Sequence, residues 1–208
     1  MKKIDENIDW LFYENQAISN GYNIVCGVDE AGRGPLAGPV YAAAVILPKG
    51  YIIEGVNDSK KLSEKKREEL FEKIKAESLA FSIGIATAEE IDEINILQAT
   101  FLAMKRAVEG LQICPDYAMI DGNRKPNISV PCETIIKGDG KSASIACASI
   151  LAKVSRDRYM LEMAEKYPEY QFEKHKGYGT KLHYEMLDKF GPCDIHRKTF
   201  LRSWYEKK

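Results

Sequence analysis

Apolar residues along the 208-residue chain change their period several times, and each change marks an element. Residues 4–19 carry Ile4, Ile8, Trp10, Leu11, Phe12 and Ala17 as a loose helical stripe among acids. Asn20-Gly21 closes it, which predicts an N-terminal helix over about 4–20. The apolar runs 23–26 and 40–47 are joined by a Gly/Pro-rich loop and read as an antiparallel pair of strands deep in a sheet. Ser63 stands as the N-cap of a helix to about Glu77, with Leu70, Phe71 and Ile74 inward. Residues 81–86 alternate as a third strand, and Thr87 can cap the segment after it. Ile94 to Leu111 reads as an amphipathic helix with Leu97, Phe101, Met104 and Val108 in the core. Strands over 116–120 and 133–137 precede a long helix over 142–167, whose small residues Ser144 to Ser149 suit close approach to the sheet. Strands then helices, with no internal repeat or long linker, predict one α/β domain over 1–208 with a helical C-terminal part over about 168–208.

Composition narrows the class. A hydrophobic content of 45% supplies a core. No apolar run approaches the roughly 18 residues of a membrane span, and no export signal is seen. The five cysteines are odd in number, widely spaced and without a C-x-x-C pair, which argues against disulfides or a zinc ribbon and for a reduced, cytoplasmic setting. The net charge of −1 hides a balance of −7 over residues 1–123 and +6 over 124–208. That division suits a later part contacting phosphate, and equally a chance split between solvated helices.

Candidate chemistry centres on Asp29-Glu30-Ala31-Gly32-Arg33-Gly34. Neighbouring strand residues point to opposite faces, so Asp29 and Glu30 meet one metal only if the strand ends or bulges there, as the glycines allow. The turn itself exposes N–H groups and a guanidinium, a cradle for an anionic or hydroxyl-bearing ligand. Asp121-Gly122-Asn123 ends a predicted strand, where ligands sit in open α/β sheets, yet it is also good turn chemistry. Asp139 follows another strand, and a capping role on the next helix is equally natural. If the strand ends share one edge, Asp29, Glu30, Asp121 and Asp139 converge, a cluster prohibitive without cations. Two divalent ions resolve the repulsion, and hard oxygen ligands favour Mg²⁺ or Mn²⁺ over Zn²⁺. A metal-dependent enzyme acting on a phosphate ester is the expectation.

Further motifs occur in order: Asn57-Asp58-Ser59-Lys60-Lys61-Leu62, Lys137-Gly138-Asp139, the run Ala148 to Val154, Arg156-Asp157-Arg158-Tyr159 and His175-Lys176-Gly177-Tyr178. With Asp29 to Gly34 and Asp121-Gly122 they make the chain resemble the bacterial ribonuclease HII family over roughly residues 25–200. The resemblance implies an RNase H-like fold with a mixed five-stranded sheet flanked by helices. It implies a monomeric endonuclease that hydrolyses the RNA strand of RNA–DNA hybrids and cuts 5′ of single ribonucleotides embedded in duplex DNA. Two metal ions, a 3′-hydroxyl and a 5′-phosphate product and a role in ribonucleotide excision repair belong to the same implication. By position, Asp29, Glu30, Asp121 and Asp139 match the family's metal-binding and catalytic acids. The segment Gly32, Arg33, Gly34 matches its 2′-hydroxyl reader, Tyr178 its ribose-packing tyrosine, and Ser59 and Lys60 its phosphate contacts. His175, His183 and His196 are left with structural or phosphate-contact roles. Ribonuclease HIII is the nearest alternative, but it usually lacks the Gly-Arg-Gly reader and carries an extra N-terminal domain, for which the residues before Gly21 are too few. A silent nucleic-acid-binding module is disfavoured by the presence of all four acids. The tail from Phe200 to Tyr205 shows no obvious clamp-binding peptide.

Overall fold

The computed structural model describes residues 8–206 of the chain. A first helix, α1 (Phe12–Ser19), leads into β1 (Val25–Ala31) and β2 (Val40–Ile46), followed by α2 (Glu64–Glu77) and β3 (Ala80–Ala86). Next come α3 (Ala88–Glu109), β4 (Tyr117–Asp121), β5 (Cys132–Ile135) and the long α4 (Ala143–Lys166). The C-terminal part holds α5 (Phe172–His175), α6 (Lys181–Phe190) and α7 (Arg202–Tyr205). The strands form one mixed sheet in the order β3-β2-β1-β4-β5. β2 runs antiparallel to both β1 and β3, whereas β4 is parallel to β1 and β5. The expected mixed five-stranded sheet is therefore present.

Most helix starts follow from local chemistry. The Ser63 hydroxyl accepts from the Lys66 N–H and the Ser142 hydroxyl from the Ile145 N–H. Thr87 and Glu90 cap each other reciprocally. That box starts α3 at Ala88, ahead of the expected Ile94. The helix then breaks at Asn95 (φ 68, ψ 163), whose side-chain oxygen accepts from the Leu97 and Gln98 N–H groups and restarts it. Met104 and Val108 are in the core as expected, but Leu97 and Phe101 are only half-buried, the inner stripe being completed by Ala99, Ala103 and Ala107. β5 stops short of residue 137 because Lys137 adopts a left-handed conformation (φ 58). Of the N-terminal helix, residues 4–7 lie outside the described residues.

Two layers of helix cover the sheet. Cys26, Val28, Val40, Ala42, Ala44, Ala118 and Ile120 face α3, while Ala43 and Val45 face α2 and α4. Met119 packs with Ile145 of α4. α4 lies so close to β1 that a Cβ at Gly27 would collide with the backbone of Ser144 and Ile145. The small residues at the start of α4 serve this approach. Above that start, the Glu14 carboxylate accepts from the Ser144 N–H at 3.0 Å and from the Ser142 and Ser144 hydroxyls at 2.7 and 2.8 Å. A negative charge at the positive end of a long helix is favourable, and it fastens α1 to the body. Among the described residues, no helix is long and apolar enough to cross a membrane, and the five cysteines are unpaired.

Candidate active site

Strand pairing brings the acids to one edge. β1 and β4 are parallel with Val28 opposite Ile120, so the next residues of the two strands, Asp29 and Asp121, end side by side. β1 neither ends nor bulges at the acidic pair. Asp29, Glu30 and Ala31 pair in unbroken register with Ala43, Ala42 and Tyr41. Contrary to the expectation from the glycines, the two acids therefore lie on opposite faces of the sheet. Asp29 shares the α4 face with Gly27, and Asp121 shares it with Met119. Glu30 shares the α3 face with Val28 and lines a groove of about 410 Å³ with Arg33, Leu97, Phe101, Asp121, Asn123 and Arg124. Asp139 sits in the 3₁₀ turn Gly138–Gly140 before α4, and Ser142, not Asp139, caps that helix.

Burial sets the electrostatics. Asp29 is 4% exposed. Its carboxyl is pushed well above the usual range, first by burial and then by Glu30 and Asp121, while Ser149 favours the charged form. Glu30 is also raised by burial, against the pull of Arg33, with Asp121 adding to the rise. Asp121 is raised by burial and by Asp139, and the N–H groups of Gly138 and Asp139 oppose this. Each carboxylate is held by a donor of the chain. The Glu30 N–H donates to Asp29 at 2.7 Å, Arg33 to Glu30 at 3.4 Å, the Gly138 N–H to Asp121 at 2.6 Å and Lys60 to Asp139 at 3.3 Å. Among the described residues, no three acidic, His or Cys side chains enclose an ion as they stand. The donor set nevertheless fits hard divalent cations: carboxylate oxygens without sulfur or imidazole, three of them held protonation-prone by burial and mutual repulsion.

Around the acids stand the other residues singled out by sequence. Gly32 takes φ +98, and a Cβ there would also strike the Arg156 side chain. Arg33 and Gly34 are exposed. Tyr178 is 44% exposed, unlike a core aromatic, and its ring lies 3.8 Å from where a Gly34 Cβ would be. Lys60 is exposed, but Ser59 is buried with its hydroxyl 2.8 Å from that of Ser149. Ser59, Ser149 and Asp29 thus form a polar line from the 3₁₀ turn Ser59–Lys61 to the acid cluster. Ser149 falls within the run Ala148 to Val154 but had no expected role, because on a helix of small residues it looks like one more spacer. Asn123 follows Asp121 in the strand-end segment singled out by sequence, while Arg124, Leu97 and Phe101 are at the site without having been singled out for it. His175, His183 and His196 are buried and stack or bond with one another, a structural role.

A family model described as Ribonuclease HII matches residues 26–207. The ribonuclease HII of Caldicellulosiruptor bescii is 59% identical over 201 residues, covering 97% of this chain and 98% of the relative. Among solved structures, the ribonuclease H2 from Pyrococcus horikoshii OT3 superposes with a TM-score of 0.73 at 28% identity, covering 89% of this chain and all of that one. Bst ribonuclease HIII in complex with Mn²⁺ shares the fold at a TM-score of 0.68 and 17% identity, over 92% of this chain and 69% of its own.

Proposed function

This chain belongs to the ribonuclease HII family, and from that premise we propose how this metal-dependent ribonuclease H selects the bond it cuts. Its substrates are RNA–DNA hybrids and duplex DNA carrying a single ribonucleotide. Cleavage falls on the 5′ side of the ribonucleotide and leaves a 3′-hydroxyl and a 5′-phosphate. The whole chain acts as one catalytic domain.

The observation that carries this reading is the burial of Asp29 beside Glu30 and Asp121 with all three carboxyls raised. Such a cluster is unfavourable until cations neutralise it. Asp29, Glu30, Asp121 and Asp139 would together hold two divalent ions, Mg²⁺ or Mn²⁺, so that Asp29 and Glu30, on opposite faces of the sheet, need not meet the same one. The chemistry those ions supply when bound is Lewis acidity toward a water and toward the phosphoryl oxygens. Lys60 then exchanges Asp139 for a substrate phosphate, with Ser59 beside it. Metals treat DNA and RNA phosphates alike, so selectivity needs a separate device, and the 2′-hydroxyl is the chemical difference. The Gly32-Arg33-Gly34 turn offers its N–H groups to that hydroxyl, and the exposed Tyr178 packs on the ribose at the RNA-to-DNA junction.

A cleavage assay on duplex DNA with one ribonucleotide tests this. One cut 5′ of the ribonucleotide is expected with Mg²⁺ or Mn²⁺, and none with EDTA or on all-DNA duplex. Tyr178→Ala should slow that cut about fivefold or more, as loss of roughly 1 kcal/mol of aromatic packing implies, with Mg²⁺ binding unchanged. Cutting that survives EDTA, or equal rates for the variant, overturns the reading.

A further inference from the structure

Two buried arginines tie together the turn and the tyrosine segment, which come from opposite ends of the chain. Arg197 is 0% exposed and Arg156 1%. Arg197 donates to the carbonyl oxygens of Gly32 at 2.6 Å, Arg33 at 2.9 Å and Gly38 at 2.8 Å. Arg156 donates to those of Ala37 at 3.1 Å, Pro39 at 3.2 Å and Lys176 at 3.0 Å. Every one of these bonds ends on a backbone carbonyl, where an ion pair would be the usual way to bury a guanidinium. Burial holds both groups below their ordinary range. A charge so costly to bury does little that an apolar side chain could not do for stability alone. What it does supply is a rigid planar fork that fixes several carbonyls at once, a geometry an ammonium cannot match.

We propose that Arg197, with Arg156 beside it, is a positioning residue for ribonucleotide selection, holding the Gly32-Arg33-Gly34 turn by its carbonyl side so that its opposite, N–H side faces the ribose. This rests on the reading of that turn as the 2′-hydroxyl sensor. With the carbonyls of Gly32 and Arg33 drawn inward, the exposed Arg33 and Gly34 form the outer rim of the turn. The Arg156 guanidinium registers Tyr178 against it. Arg156 holds the Lys176 carbonyl, the Leu36 N–H donates to the Gly177 carbonyl at 2.8 Å, and the Arg156 guanidinium carbon lies 5.8 Å from the centre of the Tyr178 ring. Downstream of the turn, the Arg197 N–H donates to the Leu36 carbonyl at 2.8 Å. Both jaws around the ribose therefore hang on one framework, and loosening it misplaces the scissile bond without removing any group that touches the ions.

The test uses the full-length chain and the variant Arg197→Lys, which keeps the charge and loses the fork. A second variant, Asp92→Ala, controls for stability. Asp92 caps the neighbouring turn by accepting from the Lys198 and Thr199 N–H groups at 2.7 and 2.9 Å, and it touches none of the six carbonyls. Rates at a single ribonucleotide, Mn²⁺ binding by calorimetry and melting temperature are measured for all three proteins. Arg197→Lys is expected to lower kcat on the order of 10- to 100-fold, the size of effect a misplacement near an ångström produces. KM and Mn²⁺ binding should stay near wild type, and Asp92→Ala should keep its kcat even where its melting temperature falls as far. If the wild-type chain does not cut at a single ribonucleotide, the underlying function is wrong. If it does, and folded Arg197→Lys matches it or loses no more than Asp92→Ala, the positioning role is wrong. Should Arg197→Lys not fold, Arg156→Lys is read by the same criteria and decides.

Discussion

Asp29 is buried among like charges, so replacing it should separate stability from activity. In Asp29→Asn the side-chain oxygen can still accept from the Glu30 N–H, now at 2.7 Å, while the charge opposed by Glu30 and Asp121 is gone. The raised pKa sets the sign. A carboxyl raised by folding contributes stability below its unfolded value and loses it as pH rises through the folded value, so at neutral pH without metal Asp29 is a burden whether it keeps its proton or not. Asn removes that burden. Melting in EDTA at pH 7 should rise by about 2–4 °C, which is what roughly 1 kcal/mol is worth in a chain this long, while cleavage is lost. Lower melting, or near-normal turnover in excess Mg²⁺, would contradict the assignment. At this scale the acids were legible because each follows a predicted strand. Their division between two faces was not, since it depends on β1 staying in register through Ala31. Arg197 was illegible for a different reason: its partners are carbonyls as far as 165 residues away, and a carbonyl leaves no mark in sequence.

Between α5, α6 and the segment before α7 runs a relay of histidines whose protonation is fixed by its ends. A carbonyl can only accept, so the His183 Nδ1–H donates to the Tyr178 oxygen at 3.0 Å. Neutral His183 then accepts at Nε2 from the His196 Nε2–H at 2.9 Å, and His196 Nδ1 accepts from the Cys193 N–H at 2.9 Å. A second proton on His183 would set two N–H groups against each other. Burial, the first cause, lowers both histidines to about 4. Their folded pKa values lie below the unfolded value near 6.5, so the unfolded chain takes up protons first. Stability is then full above about pH 6.5 and falls toward pH 4, by about 1.4 kcal/mol per pH unit for each histidine. His196→Gln retains an N–H donor toward His183 with one titrating group fewer. Urea midpoints at pH 7, 6 and 5 should therefore show a shallower acid loss for the variant, and identical profiles would refute the relay. Elements with local causes, such as the helices capped by Ser63 and Thr87, were readable in sequence, as was the long helix after residue 142, although its cap is Ser142 and not Asp139. This relay was not, because it is closed by contacts between segments that no local pattern joins.

At the scale of the molecule, a polyanionic substrate must approach an edge built from four acids, which only a surrounding set of cations makes favourable. Cations from both parts of the chain surround that edge: Arg33 and Lys60 of the acidic first part and Arg124 of the basic later part stand exposed at the groove and acid edge, and Lys125, Lys137 and Lys141 of the later part are exposed on neighbouring segments. Sequence supplied the imbalance but not its position, because strand order alone brings residues 29–34 and 121–141 together. Phosphates neutralised by these groups release counterions, so kcat/KM should fall as a power of salt concentration. For two to three contacts, the fall between 50 and 200 mM salt is roughly 10- to 40-fold. It should enter through KM, leaving kcat at saturating substrate nearly constant, because the acids and their ions are not part of the released atmosphere. Arg124 lines the groove beside Asp121 and Glu30, so Arg124→Ala should raise KM several-fold at low salt and reduce the logarithmic salt slope by about one. Steady-state rates on one duplex across a salt series decide this. A salt-independent kcat/KM would mean that the cations around the edge do not meet the phosphates, and an unchanged slope in the variant would remove Arg124 from the contact surface.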